Sequence, residues 1–141
     1  MYRATDIAKY VIYFSSIKNR SVSNLKLQKI LYFIQAEFLI RKGCRCFSDI
    51  IEAWDFGPVI PLVYKEFRIY GGADIPRREG VDLSFEEEVD RDIVDEISTI
   101  CFDYTASELV AITHNQTPWI SAYKKYCNNE ITPESIKAFF S

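Results

Sequence analysis

Most apolar positions along the chain recur with helical spacing. Ile7, Val11 and Phe14 mark a first helix over about Thr5–Ile17, and "KNRSVSN" breaks it. Ser23 suits the N-cap of a second helix, in which Leu27, Ile30, Leu31, Ile34 and Phe38 form one wide apolar stripe. Arg41 and Lys42 favour its C-terminus, and Gly43 ends it.

After Cys46 the period changes. "FSDIIEAWDF" is a short apolar and aromatic segment bounded by turn residues, read as a loop and a brief strand around Ile51–Trp54. Gly57-Pro58 is expected to stop that strand, since Pro58 and Pro61 both fit the start of a helix, where a missing N–H costs little. Leu62, Phe67 and Tyr70 supply the next stripe, Gly71-Gly72 closes it, and residues 73–83 connect onward. Ser84 with Glu87 has the spacing of a capping box before Val89, Ile93, Val94, Ile97 and Ile100. Thr105 with Glu108 repeats it before Leu109, Val110 and Ile112. Thr117-Pro118 and Thr132-Pro133 each read as an N-cap followed by a proline, opening helices at Trp119–Cys127 and Glu134–Phe140. Between them, "NNEIT" supplies a second short strand to pair with the one ending at Trp54. The predicted fold is mainly α: one compact domain over 1–141, a bundle of about six or seven helices with a two- or three-stranded β element.

Composition agrees with a globular chain. In 141 residues, 48% are hydrophobic and 15% aromatic, enough to build a core. No apolar run approaches the ~18 residues of a membrane span, and "MYRATDIAKY" lacks a signal-peptide core, so a cytoplasmic address without a membrane partner is expected. Cys44, Cys46, Cys101 and Cys127 are expected as free thiols. Cys44-x-Cys46 is tighter than a zinc knuckle and has no second pair, so no metal or cofactor is assigned.

The net charge of −3 is unevenly spread. Residues 1–50 hold nine Lys/Arg against three Asp/Glu, and the remainder eight against seventeen. The basic third is assigned to lysines on the outer faces of amphipathic helices. The nine acidic residues of 79–96 are assigned to a solvated helix face, with a docking surface for a basic partner as the alternative. An acidic chain is not held on nucleic acid by net charge, and no direct nucleic-acid binding is expected.

His114 is the sole histidine, so Ser–His or Cys–His chemistry would have to use it, with Glu52, Asp55 or Glu108 orienting the ring. No G-x-S-x-G elbow is present, and His114 falls in the last turn of a short helix, where its ring is expected to bond free carbonyls. On a strand, Glu52 and Asp55 point to opposite faces and do not converge on one substrate atom. Local roles are expected instead: Glu52 bonding backbone or a tyrosine, Asp55 supporting the turn. Trp54 and Trp119 are able to stack a base but are assigned to packing. No phosphate loop occurs. The residues favour binding over catalysis, with a small hydrolase using His114 and Glu52 as the alternative.

Four stretches in order, "NLKLQKILYFIQAEFLI", "IEAWDFGPVIPLVYKEFRIYG", "LVAITHNQTPWISA" and "ITPESIKAFF", resemble the Panacea domain, also called the SocA-like or GepA-like family. The resemblance spans nearly the whole chain. It implies an antitoxin-type module of bacteria, phages and mobile elements that neutralises a toxin encoded nearby by direct binding. It also implies, in one branch, an adaptor that delivers its toxin to a ClpXP-type protease. A phage-borne inhibitor of a host defence effector is the alternative within the same fold. The signature positions carried over are Leu25, Lys26, Leu27, Gln28 and Lys29, then Glu52, Trp54, Gly57, Pro58 and Pro61, then Thr113, His114, Pro118 and Trp119. No catalytic set is implied, and the partner-binding residues stay unknown. On this resemblance "EAWDFGPVIP" is expected to be a rigid strand-to-helix corner, with Trp54 buried against the second helix and the His114–Trp119 turn.

Overall fold

A computed structural model describes residues 1–141. Seven α-helices surround a small sheet: α1 (Ala4–Ile17), α2 (Asn24–Arg41), β1 (Ile51–Trp54), β2 (Gly57–Val59), α3 (Pro61–Phe67), α4 (Glu88–Phe102), α5 (Ala106–His114), α6 (Thr117–Ala122), β3 (Glu130–Ile131) and α7 (Pro133–Phe140). A 3-10 turn, Arg68–Tyr70, follows α3 and ends at Gly71 in the left-handed region. No helix is long and apolar enough to cross a membrane, and all four cysteines are free.

The antiparallel sheet has the order β2-β1-β3. The predicted pairing of "NNEIT" with the first strand is present, as Ile51 faces Ile131 and Glu52 faces Glu130. The expectation for Gly57-Pro58 is corrected. These residues do not end the strand region; they form β2, with Ala53 opposite Pro58 and Trp54 opposite Gly57. Neither Asp55 nor Phe56 has positive φ, while Gly57 sits at φ +99, so the chain turns first and glycine takes the left-handed position after it. A strand proline is tolerated because β2 is an edge strand. Pro61 alone opens α3, with Val63 and Phe67 buried and Leu62 and Tyr70 exposed.

Two further boundaries differ from the sequence reading, each for a tertiary reason. Ser84 and Glu87 form no capping box: α4 starts at Glu88, and Glu87 gives it no side-chain cap. Glu87 instead pairs with Lys42, the Glu86 amide donates to the Tyr2 hydroxyl, and Phe85 packs edge-on against Tyr2 and Tyr10. Val89 and Ile100 of the expected apolar stripe are exposed. At the other end, α6 starts with Thr117 inside the helix and stops at Ala122 rather than reaching Cys127. Tyr123 is held extended by stacking on Trp119 and by donating its hydroxyl to Asp55, while Asn129 Nδ2 satisfies the Ala122 carbonyl. The Thr105–Glu108 box and the Thr132 cap form as predicted.

One core joins the elements, and α2 runs through it against α1, α4, α5, α7 and β2. The apolar stripe accounts for one face only. Asn24, Gln28, Tyr32 and Gln35 recur at helical spacing on another, and all four are buried. A helix buried nearly all round must satisfy polar side chains internally. Gln35 does so by accepting from the amides of Cys46 and Phe47 (2.8 and 3.2 Å) and donating to the Phe47 carbonyl (2.9 Å). Gln35→Leu keeps the volume but strands those backbone groups, and is expected to lower the unfolding free energy by about 2–3 kcal/mol in urea titration. A loss below about 0.5 kcal/mol would show that Gln35 is not what holds this loop.

Candidate functional site

The sequence-marked residues meet where α2 faces the β1–β2 hairpin. Gln28 Oε1 accepts the Ile60 amide (2.9 Å), its Nε2 donates to Asn24 Oδ1 (2.9 Å), and Asn24 Nδ2 donates to the Tyr64 carbonyl (3.1 Å). Lys29 Nζ donates to the Pro58 carbonyl (2.8 Å). This α2 face thus supplies partners for the outer edge of β2 and the start of α3. The assignment of the lysines to outer helix faces is corrected here: Lys29 is 0% exposed, and Lys26 is half-buried with Nζ on the Phe102 carbonyl. Leu27 joins the core, and Leu25 is half-buried.

Lys29 has no carboxylate partner. Burial pulls its ammonium down to about 7, where the neutral amine still donates to Pro58. The hairpin is shaped around this side chain. A Cβ on Gly57 would stand 2.7 Å from Lys29 Cε and 2.8 Å from Thr113 Oγ1, so both the positive φ and the close approach require glycine. Thr113, the buried signature residue of α5, bonds back to the Val110 carbonyl and lies against the hairpin at that point.

The α5–α6 turn closes the other side. Tyr32 donates its buried hydroxyl to Gln116 Oε1 (2.7 Å), fixing the turn to α2. His114, Trp119 and Tyr123 form a continuous stack, with ring centroids 4.0 and 4.5 Å apart. Trp119 Nε1 donates to the Trp54 carbonyl (2.8 Å), which ties α6 to the end of β1. The expectation that His114 bonds carbonyls is corrected: its Nε2 is buried without a hydrogen-bond partner, and Asn115 bonds the Ala111 carbonyl instead.

Trp54 also departs from its expected place. Its ring is half-buried, lies outside the core, meets Tyr64 edge-on at 5.0 Å and donates Nε1 to Glu52 (2.9 Å). Glu52 therefore holds a tryptophan rather than a tyrosine, and Asp55 receives Tyr123. Neither carboxylate bonds His114. Pro58 and Pro118 are both buried. Residues that the sequence reading passed over include the buried amides of α2 and the exposed rings of Phe56 and Tyr126. The amides were detectable as uncharged polar residues at i, i+4 and i+11 from Asn24; the two rings carried no periodic signal.

Together these features define a helical protein with a stiffened hairpin and outward aromatic surface. The chain matches the family described as antitoxin SocA-like, Panacea domain, over residues 27–120, and it belongs to that family. It is 37% identical over 109 residues to antitoxin SocA of Caulobacter vibrioides (strain NA1000 / CB15N), a match covering 70% of this chain and 58% of that protein. The chain thus spans less than two thirds of that relative's length. No solved structure matches it.

The lysine gives a signed pH prediction. Between about 7 and the ordinary 10.5, the unfolded chain carries the Lys29 proton and the folded chain does not, so stability rises with pH across that window. Below about 7 both states are protonated, and the unfavourable contribution is flat. Lys29→Met removes this dependence, so the stability of the variant relative to the parent should fall by about 2–3 kcal/mol from about pH 7.5 to about pH 9.5. Urea titrations at both pH values check it; a parallel pair of curves would place the Lys29 titration elsewhere. For the aromatic stack, Trp119→Ala is expected to cost about 3 kcal/mol or more and Trp54→Ala about half that, read by the same titrations. The reverse order would move the anchor to Trp54.

Proposed function

We propose that this chain is an antitoxin that neutralises a protein toxin encoded nearby by binding it directly. Family membership is the observation that carries the reading. The site geometry supports it, because the signature side chains are spent on holding the hairpin. Lys29 bonds Pro58, Gln28 bonds Ile60, and Glu52 and Asp55 are engaged by Trp54 and Tyr123. His114 lies flat against Trp119 with no carboxylate to orient it, the opposite of the base–orienter pair that nucleophilic catalysis requires. The signature therefore acts as a scaffold, and recognition falls to the outer surface.

Co-expression with the product of the adjoining gene tests this. Growth rescue with a co-purifying complex is the expected outcome; a toxic neighbour that the chain neither binds nor relieves would overturn the reading. Repeating the rescue in cells lacking ClpX separates masking, which persists, from delivery to a protease, which fails. A neighbour harmless by itself would instead favour an inhibitor of a host defence effector. His114→Phe preserves the stack and removes only ring nitrogens, so full neutralisation is expected from it. Lost neutralisation with unchanged thermal stability would restore the hydrolase alternative.

A further inference from the structure

The most conspicuous exposed rings lie together at one end of the molecule. Phe56, at the tip of the β1–β2 hairpin, is 65% exposed, and Tyr126 is 94% exposed. Both line the same hollow of about 250 Å³, whose other walls include Trp54 and Tyr123. Tyr126 belongs to a second tight turn, closed by the bridge between Lys124 and Cys127. Its φ is +68, a conformation that bulky L-residues avoid and glycine adopts freely. Folding gains little from a ring that is almost wholly in water at a strained position. Strain of this kind marks a residue kept for contact with something else.

The charges around the hollow indicate what that contact is. Lys124 and Lys125 precede Tyr126 in its turn, with Lys125 Nζ 5.3 Å from the centre of the Tyr126 ring, and Arg68 lines a neighbouring hollow that shares Phe56. None of the three is in an ion pair, whereas the one carboxylate of the two hollows, Asp55, already receives Tyr123. Two carboxylates of this end, Asp55 and Glu52, are bonded by Tyr123 and Trp54, two of the hollow's walls. Exposed aromatic rings with cations outside any ion pair beside them fit an apolar knob with an acidic rim.

Resting on the antitoxin reading, we propose that the paired tips carrying Phe56 and Tyr126 are the toxin-docking surface, and that the toxin seats an acid-rimmed apolar protrusion in the hollow between them. The stiff signature scaffold then has a stated purpose. Asp55–Tyr123 and Trp119–Trp54 tie the hairpin to α6 and the chain just before the Tyr126 turn, so less backbone has to be ordered on binding. The apolar groove between α2, α4 and α5, where Ile100 and Ile112 are exposed, is a separate surface and serves as the control.

The test is calorimetric titration of the purified neighbouring-gene product with parent and variant chains. Tyr126→Gly relieves the backbone, so its melting temperature should equal or exceed the parent's while affinity falls at least tenfold. Phe56→Ala should fall similarly, and Lys125→Glu should weaken binding further as ionic strength drops. Ile112→Ser, in the control groove, should bind as the parent does. Parent affinity in Tyr126→Gly and Phe56→Ala would sink this docking surface and leave the antitoxin reading intact. A parent chain that fails to bind the toxin would sink both. Binding of a single-stranded RNA oligonucleotide by the parent, lost in Tyr126→Gly, would reassign the rings to nucleic acid and overturn the proposal.

Discussion

The structure depends on α2 acting as a hydrogen-bonding post for backbone that has no partner of its own. The outer edge of β2, the start of α3 and the loop at Cys46–Phe47 are each buried against this helix. Irregular backbone inside a protein must be satisfied or lose several kcal/mol. Gln28, Lys29 and Gln35 satisfy it from one helix, and Tyr32 fixes the Gln116 turn in the same way. A long helix is rigid, so every segment hung from it inherits one frame of reference.

Lys29 is the most costly member of that arrangement. An amide in its place would donate equally well without the penalty of a group that is charged in the unfolded chain at neutral pH. What the lysine adds is reach. Its aliphatic stem passes beneath Gly57, and its terminal nitrogen arrives at the Pro58 carbonyl. Pro58 has no N–H of its own to anchor, so its carbonyl is the handle by which β2 is held. The glycine, the proline and the lysine are thus one device, with Thr113 closing the space on the far side.

From this device the rigidity passes outward. β1 is clamped between β2 and β3, its last carbonyl is gripped by Trp119, and the stack of His114, Trp119 and Tyr123 leads to Asp55 at the hairpin tip. The buried polar side chains of this region are thus engaged in holding its backbone. The outer surface carries the uneven charge, with acidic residues concentrated on α4, and charge complementarity is one way a surface discriminates between partners.

The sequence by itself determined the helices with strong periodicity and caps, the Thr105 and Thr132 starts, and the pairing of "NNEIT" with the first strand. The helices and caps rest on contacts within a few residues or on patterns repeated along one element, whereas the strand pairing joins Ile51 to Ile131 and was legible only because the chain offered two short β segments. Only the tertiary structure decided that Gly57–Val59 is a strand, that α4 starts at Glu88, and that α6 stops at Ala122. In each case a distant partner won: Lys29 for the hairpin, Tyr2 for the α4 approach, and Asp55 for Tyr123. The fate of Lys29 was illegible for the same reason. A lysine in an amphipathic pattern belongs in water unless a buried carbonyl at its tip awaits it, and that carbonyl comes from a strand 29 residues away.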